Sequence, residues 1–363
     1  MSKKVGKNGV NQDGVQVYPI RTIENDLGGG LIQKSKWAGK VYRLGLIGLL
    51  SLLTAAALRA QPTAYAFRRP LMGTFFSATL YAPDSLAARQ AYEAVSARMD
   101  VLNYIMSDYL DESEINRLSA SSGLGAWMNV SPTLFAVLAE AVTIAKRSGG
   151  RFDPTIGPLS QLWRRAVRQR QLPTAKELRR ARRLVSYNYI ELNDRGVRPR
   201  VLLRKRHMRL DLGGIGQGFA IDEAQKVLHQ HGIRSFLLDI GGDILVGDAP
   251  PARPEGWRIG IQRGKPSSGN IAETDSVIHL KNAAITTSGD TERHLDINGK
   301  RYSHIMNPRS GLGLRRFVQA TVMAPTGTYA DALTKVFSVA RPGARKRLQR
   351  RFPQARVWIV EKK

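Results

Sequence analysis

A single two-residue turn constrains the fold of this chain more than any other feature of its sequence. Asn298-Gly299 lies between two alternating segments, 293–297 and 300–304, and Asn-Gly is the strongest short-range signal for a tight β-hairpin. Such a turn places Leu295 opposite Tyr302 and Arg293 opposite His304. The pattern therefore predicts a hairpin in which His304 lies on a strand and shares a face with Tyr302 and Arg293.

His304 has a structural and a functional interpretation. A lone strand histidine is commonly structural, but the predicted cationic and aromatic neighbours suit an anionic ring ligand. Metal binding by histidine is not predicted, because only His229 and His231 are close in sequence and they fall at a helix end. Downstream of His304, the segment 329–334 (YADALT) predicts a helix that carries an acidic residue, Asp331.

The charge of the chain limits its partners. It has 363 residues and a formal net charge of +27, which suits nucleic acid, an anionic membrane surface or a phosphate-bearing ligand. It contains no cysteine, so a disulfide framework, a thiolate metal site and a cysteine nucleophile are excluded. Arginine-rich segments such as 179–183 and 345–351 are typical of solvated helix faces, and attraction to an anionic membrane is the sharper alternative.

The amino-terminal region is predicted to be a targeting segment. Residues 1–43 are polar, Gly-rich and basic and are predicted to be disordered. Residues 44–58 are uncharged and apolar, too short for an ordinary membrane span, and Ala64-Tyr65-Ala66 has the A-x-A form of a cleavage site. The region 44–66 is thus predicted to be a signal peptide, with an uncleaved anchor or a buried core helix as alternatives.

The basic flank of this region predicts an exported protein, either periplasmic or held at the outer face of the cytoplasmic membrane. Export and the lack of a recognisable module argue against nucleic-acid binding.

The remaining residues, 67–363, are predicted to form one α+β domain. Strands are predicted at 72–80, 189–191, 201–203, 208–212 and 235–240, and helices at 87–106, 134–146 and 217–229. The second helix precedes Ser148-Gly149-Gly150, which is typical of a glycine stop.

A glycine-rich turn is the first candidate binding site. The segment 211–218 (DLGGIGQG) joins a predicted strand to a predicted helix, where glycines allow close approach of a ligand and the helix start offers N–H groups to a phosphate. It is neither a G-x-G-x-x-G fingerprint, because Phe219 stands in the last glycine position, nor a P-loop. A plain connector is the structural alternative.

Several short blocks, in order, resemble those of the ApbE family, the FAD:protein FMN transferases. They are Met72-Gly73-Thr74, Met106-Ser107-Asp108-Tyr109 with 113–118 (SEINRL), 150–154 (GRFDP) with Gly157-Pro158-Leu159, 211–218 (DLGGIGQG), 239–243 (DIGGD), Ser288-Gly289-Asp290, His304-Ile305 with Asn307-Pro308, and Ala330-Asp331-Ala332. Each block is weak alone, but their order across residues 70–340 is specific.

The resemblance implies both a fold and a reaction. The fold is a single α+β, T-fold-like domain of mixed and antiparallel sheets flanked by helices. In the reaction, the FMN half of FAD moves to a threonine hydroxyl of an acceptor flavoprotein, AMP is released, and a divalent cation, usually Mg²⁺, takes part. The matched FAD positions are Met72, Tyr109, Arg151, Phe152, Asp153, Asp211, Gln217 and Ile305, the metal positions are Gly214, Asp331, Thr334 and Lys335, and His304 is the candidate general base. The usual acceptors are membrane redox subunits with a threonine flavinylation motif.

This chain departs from the family pattern at two positions. Gln217 stands where the family has a lysine, and Lys335 stands where it often has a metal-binding threonine, with Thr334 one residue earlier. A lysine four residues after Asp331 shares its helix face and can pair with that carboxylate in place of a metal. In the alternative, Lys335 points to solvent and Thr334 or water completes the metal shell. The alternatives to transfer are therefore an exported FAD-binding flavoprotein without transferase activity, with Lys335 filling the cation site, and a membrane-associated basic scaffold.

Overall fold

The protein is built on one large antiparallel sheet, seen in a computed structural model that describes residues 18–19, 61–261, 276–289, 294–297 and 299–362. The strands are β1 (Tyr18–Pro19), β2 (Thr63–Leu71), β3 (Thr74–Ala82), β4 (Met128–Asn129), β5 (Ile190–Asn193), β6 (Arg200–Leu203), β7 (Phe236–Ile240), β8 (Asp243–Val246), β9 (Trp257–Ile261), β10 (Ser276–Leu280), β11 (Ala283–Ser288), β12 (His294–Ile297), β13 (Lys300–Ser303), β14 (Met306–Asn307), β15 (Leu312–Gly313), β16 (Phe317–Ala324) and β17 (Arg356–Lys362). The large sheet has the order β1-β2-β3-β7-β8-β11-β16-β17, and its neighbouring strands are all antiparallel. A smaller sheet has the order β4-β6-β5.

Helices cover one face of the large sheet. They are α1 (Ser85–Met106), α2 (Glu114–Ala120), α3 (Pro132–Ser148), α4 (Gly157–Gln169), α5 (Ala175–Arg182), α6 (Gly216–Gln230), α7 (Gly327–Val339) and α8 (Pro342–Arg351). The helices α1, α6 and α7 pack side by side over β3, β7, β11 and β16. Inward residues such as Phe76, Leu238 and Val322 are fully buried and join one core with these helices.

The other face of the large sheet is partly covered by the β9–β10 hairpin. Trp257, Ile259 and Leu280 of the hairpin are buried against Val246 and Ile285 of the sheet. The alternation of apolar side chains along β7 and β8 supplies both cores, because successive strand residues point to opposite faces. The sheet thus lies between a layer of helices and a hairpin, and the predicted α+β class is confirmed.

Local signals fix the helix ends. The Asp84 carboxylate accepts a hydrogen bond from Ala87 N at 2.8 Å at the start of α1. Ser131 caps α3, which ends at Gly149 in the left-handed conformation, φ 66°. A capping box of Thr174 and Glu177 opens α5. The predicted helices at 87–106, 134–146 and 217–229 are confirmed within a few residues.

Two of the predicted strands differ from the structure, one in its limits and one in being absent. The predicted strand 72–80 is the second half of a hairpin whose turn is Met72-Gly73, both with positive φ (47° and 74°). Residues 208–212 form no strand. They make one parallel bridge, between Arg209 and Ile156, and Leu210 N and Asp211 N instead bond Ser119 Oγ and Pro154 O. The backbone here is satisfied by a helix side chain and by a loop carbonyl, which alternating hydrophobicity cannot reveal.

The predicted leader lies outside the described residues, apart from Tyr18–Pro19 and residues 61–66. Ala64-Tyr65-Ala66 belongs to β2, where it pairs with Thr79, Leu80 and Tyr81 of β3. Cleavage after Ala66 would therefore remove the beginning of a paired strand. Among the described residues, no helix is long and apolar enough to cross a membrane. The predicted domain limits, 67–363, stay a prediction.

Candidate functional site

A cavity of about 680 Å³ opens beside the helix layer, at one end of the large sheet. Segments that are distant in sequence line it: the loop after α1, the loop before α4, one side of α4, the glycine-rich turn, the chain after β13, and one residue of α7. The lining includes Tyr109, Arg151, Phe152, Asp153, Asp211, Gly214, His304, Ile305 and Lys335. Most of the positions predicted from sequence thus converge on one cavity.

A group of residues that we call the floor (Gly214, Gly218, Asp331 and Lys335) lies beneath the cavity where α6 meets α7, and of these Gly214 and Lys335 line the cavity. Asp331 is 1% exposed, its Oδ2 accepts from Gly218 N at 3.2 Å, and its Oδ1 bonds the Lys335 ammonium. A Cβ on Gly218 would lie 2.2 Å from Gly327 O, so the helices cross too closely for any side chain there. The floor is therefore closely packed, and both oxygens of the Asp331 carboxylate are hydrogen-bonded within it.

Lys335 is the floor side chain that carries positive charge into the cavity lining. Its Nζ also lies 3.1 Å from Ser288 Oγ, and its stem lies against Gly214. Burial lowers the pKa of Lys335, but the charges of Asp331 and Asp243 outweigh it and raise that pKa overall. Burial and the charge of Asp331 raise the pKa of Asp243. The ammonium thus contacts one buried carboxylate, that of Asp331, and acts on the Asp243 carboxyl group only through its charge.

The residues at the implied metal positions do not fit a divalent cation as they are arranged. A protonated amine donates hydrogen bonds and has no lone pair for a metal. The Thr334 hydroxyl is fully buried, 2.7 Å from Asp331 O and 2.9 Å from Ser288 Oγ, and does not line the cavity. Across the described residues, no group of three or more histidine and acidic side chains is placed to hold a metal.

The rim of the cavity (Tyr109, Arg164 and His304) is more exposed. Tyr109 is 75% exposed, and the Arg164 guanidinium lies 3.9 Å from the centroid of its ring. Arg164 Nη2 is 2.6 Å from Asp108 Oδ2 and 3.7 Å from Asp211 Oδ2. Burial and the charge of Asp211 raise the pKa of Asp108, while Arg164 opposes that rise. Arg164 thus joins three segments that sequence separates.

His304 lies at the rim but not on a strand. The predicted pairing of Leu295 with Tyr302 is confirmed, whereas β13 ends at Ser303 and His304 lies in the bend that follows. The prediction of a strand histidine is wrong because Ile305 N donates to Ser303 Oγ at 3.0 Å and the chain turns into the β14–β15 hairpin. The predicted neighbour Arg293 lies outside the described residues.

The loop 151–153 is fixed by its buried aspartate. Asp153 Oδ1 accepts from Thr155 N and Oγ1 at 2.9 and 2.7 Å, and its Oδ2 accepts from Tyr187 N at 3.0 Å. Burial raises the pKa of Asp153. With its oxygens used in this way, Asp153 positions the loop, while Arg151 and Phe152 present a cation and a ring to the cavity.

Four predicted site residues lie away from the lining. Met72 is in the β2–β3 turn, Gln217 is in the first turn of α6, and Asp331 and Thr334 lie behind Lys335. Conversely, sequence reasoning missed Trp163, Arg164 and His294 as lining residues. The amphipathic α4 carries Trp163 and Arg164, but only the fold shows which of its arginines line the cavity.

The fold and the cavity define an α+β protein with a site suited to a phosphate-bearing ring ligand. The sequence model of the ApbE family matches residues 72–359, so the chain belongs to the ApbE family. It is 27% identical over 296 residues to the FAD:protein FMN transferase of Haemophilus influenzae, covering 80% of this chain and 84% of that protein. It is 28% identical over 325 residues to the FAD:protein FMN transferase of Treponema pallidum, covering 86% and 89%.

Solved structures agree with this membership. The flavin transferase ApbE of Vibrio cholerae, in a single-residue mutant form, superposes with a TM-score of 0.70 at 25% identity, covering 82% of this chain and 94% of that one. The ApbE protein of Thermotoga maritima superposes with a TM-score of 0.72 at 26% identity and the same coverage. The coverage is wide enough to include the sheet, the helix layer and the segments that line the cavity.

Proposed function

We propose that the protein is a FAD:protein FMN transferase that uses the cavity to bind FAD and to present it to an acceptor protein. The observation that carries this proposal is the convergence of Tyr109, Arg151, the glycine-rich turn and His304 on one cavity in a member of the ApbE family. Tyr109 offers an exposed aromatic face to a ring, and Arg151 and Lys335 supply positive charge for the diphosphate.

The reaction exchanges the phosphoanhydride bond of FAD for a phosphate ester bond to the acceptor. A threonine Oγ of the acceptor attacks the phosphorus of the FMN half, its bond to the bridging oxygen breaks, and AMP leaves with that oxygen. The imidazole of His304 takes the hydroxyl proton as general base. Fixed positive charges that line the cavity stabilise the charge that develops on the phosphoryl oxygens.

Magnesium is part of what the family resemblance implies. In a site with a free Asp331 carboxylate and the Gly214 carbonyl, a divalent cation would neutralise the diphosphate. The contact between Lys335 and Asp331 is incompatible with that arrangement.

The location and the acceptor of the enzyme follow from sequence reasoning. We infer export to the periplasm or attachment to the outer face of the cytoplasmic membrane from the apolar run 44–58. The acceptor is then an exported or membrane-bound redox subunit with a threonine flavinylation motif. The net charge of +27 favours contact with an anionic membrane surface.

The test is a denaturing gel of membrane proteins incubated with the purified enzyme and FAD. A fluorescent band that forms with FAD, but not with FMN, supports transfer, because FMN lacks the bond that is exchanged. The FAD-binding alternative without transfer predicts a yellow protein and no band.

A further inference from the structure

We propose that Lys335 is a resident cation that takes the place of a divalent metal, so that FMN transfer proceeds without added metal. This inference rests on the proposed function, but its main test does not. The observation that supports the proposal is the contact of the Lys335 ammonium with the buried Asp331 carboxylate at the floor.

The charges at the floor favour an ammonium over a second cation. Asp331 is 1% exposed, and its carboxylate contacts the Lys335 ammonium directly. Removing one partner of such a buried pair leaves an uncompensated charge, which is strongly unfavourable. A divalent cation at Asp331 would have to displace the ammonium or lie against it, and like charges at contact distance repel.

The geometry leaves Lys335 able to act on a ligand. An ammonium has three N–H donors, and Asp331 and Ser288 accept two of them. The side chain is 23% exposed and lines the cavity. The third donor is therefore available to a phosphate oxygen, which a metal would otherwise contact.

The test is calorimetric titration of Mg²⁺ into the FAD-free protein. Wild type is expected to show no binding at millimolar Mg²⁺, whereas Lys335→Thr gains a hydroxyl and loses the competing charge, and binds about tenfold more tightly or better. Lys226→Met is the control, because Lys226 pairs with Glu223 on α6 away from the cavity. It should behave as wild type.

Transfer assays in a chelator give the second readout. Wild-type transfer should survive EDTA, and transfer by Lys335→Thr should require Mg²⁺. Wild type that binds Mg²⁺ as tightly as the variant, or that stops in EDTA, would overturn the proposal. If no transfer occurs in any condition, the calorimetry still decides. If Lys335→Thr does not fold, Lys335→Met replaces it, with a smaller gain of Mg²⁺ binding expected at Asp331, because the competing charge is lost but no hydroxyl is added.

A second surface carries an independent inference. An arginine basin of about 740 Å³, lined by Arg179, Arg182, Arg183 and Arg309, adjoins the cavity and shares Asp153 and Pro308 with it. Asp153, its one acidic lining residue, is bonded to Thr155 and Tyr187. We propose that the basin binds an acidic segment of the acceptor protein beside the modified hydroxyl.

The surroundings of the basin are strongly cationic. Burial and the charges of Arg309, Arg351 and Arg347 lower the pKa of Arg151, which lines the neighbouring cavity. Among the described residues, no carboxylate pairs with Arg179, Arg182 or Arg183. Guanidinium groups bind carboxylates in a two-point geometry, so an acidic peptide supplies the missing charge.

The test uses fluorescent peptides with a central threonine, flanked either by glutamates or by glutamines. The triple variant Arg179→Gln, Arg182→Gln and Arg183→Gln should bind the acidic peptide about fivefold more weakly, at an unchanged FAD affinity. The triple variant Arg195→Gln, Arg198→Gln and Arg206→Gln is the charge-matched control from outside both cavities. Equal loss in both variants, or loss only of binding to phosphatidylglycerol vesicles, would overturn the proposal. Peptide binding needs no turnover, so this result is separate from failure of the proposed transfer.

Discussion

The floor and the rim of the cavity use charged residues in opposite ways. At the floor, Asp331 is 1% exposed and both of its oxygens are bonded within the protein. At the rim, Tyr109 is 75% exposed and is held by the flat Arg164 guanidinium. The floor is fixed before any ligand arrives, whereas the rim keeps aromatic and imidazole groups accessible. The proposed general base is therefore a residue of the rim, whereas the floor holds a fixed ion pair.

The largest expected effect is at the rim. His304→Ala should lower the rate of FMN transfer by about 10²–10⁴-fold, because a positioned general base contributes that much. The FAD dissociation constant and the unfolding midpoint should stay unchanged. A rate equal to that of wild type would show that His304 only shapes the cavity.

The floor is expected to respond through stability. Gly218→Ala places a methyl group 2.2 Å from Gly327 O and 2.7 Å from Asp331 Cβ, and should lower the free energy of unfolding by about 1–3 kcal/mol. Gly343→Ala is the control, because a Cβ there meets no atom within 4 Å. Urea denaturation measures both. Equal stability of the two variants would contradict a rigid floor.

Removing the rim ring should weaken ligand binding without unfolding the protein. Tyr109→Ala should raise the FAD dissociation constant about tenfold, and Tyr109→Phe should leave it unchanged, because the ring face makes the contact. Tyr104→Ala is a matched control, since Tyr104 also carries an arginine over its ring, at 5.8 Å, outside the cavity. Fluorescence titration of FAD distinguishes them, and equal losses would remove Tyr109 from the site.

The smallest effect concerns the support of the rim. Hydrogen bonds from Thr174 N and Oγ1, and from Arg165 of α4, lower the pKa of Glu177 to about 2. Because the pKa of Glu177 is lower in the folded than in the unfolded protein, its charged form stabilises the fold at any pH above the unfolded pKa. This stabilisation is lost as the pH falls through about 2. Glu177→Gln should therefore lower the urea midpoint slightly at neutral pH, with a difference that shrinks in acid. Glu140→Gln, on exposed α3 surface, should show no such pH dependence.

Sequence alone predicted the parts of this molecule that rest on local signals. The hairpin register expected from Asn298-Gly299 and the helix stop at Gly149 are local features, and the structure confirms both. The order of the family blocks is read directly from the sequence. The strand predicted at 208–212 was wrong because Ser119 and Pro154, far away in sequence, satisfy that backbone.

The sequence predicted which residues belong to the site better than it predicted how they are arranged in space. Tyr109, Asp211 and His304 were expected at the cavity and line it. Arg164 was missed because α4 carries several arginines, and only the fold shows that Arg164 and Arg168 line the cavity and that Arg164 bonds Asp108. The contact between Asp331 and Lys335 was one of two alternatives drawn from helix spacing, and its burial beneath the cavity depends on the crossing of α6 and α7.

The most direct test of the account is the stoichiometry of the products formed from FAD. The enzyme is incubated with FAD and membrane proteins, AMP is quantified by chromatography, and the fluorescent band is digested and analysed by mass spectrometry. One AMP should be released for each FMN joined to a threonine through phosphate, and both products should form about 10²–10⁴-fold more slowly with His304→Ala. Bound FAD that yields neither AMP nor a modified threonine with the wild-type enzyme would contradict the account.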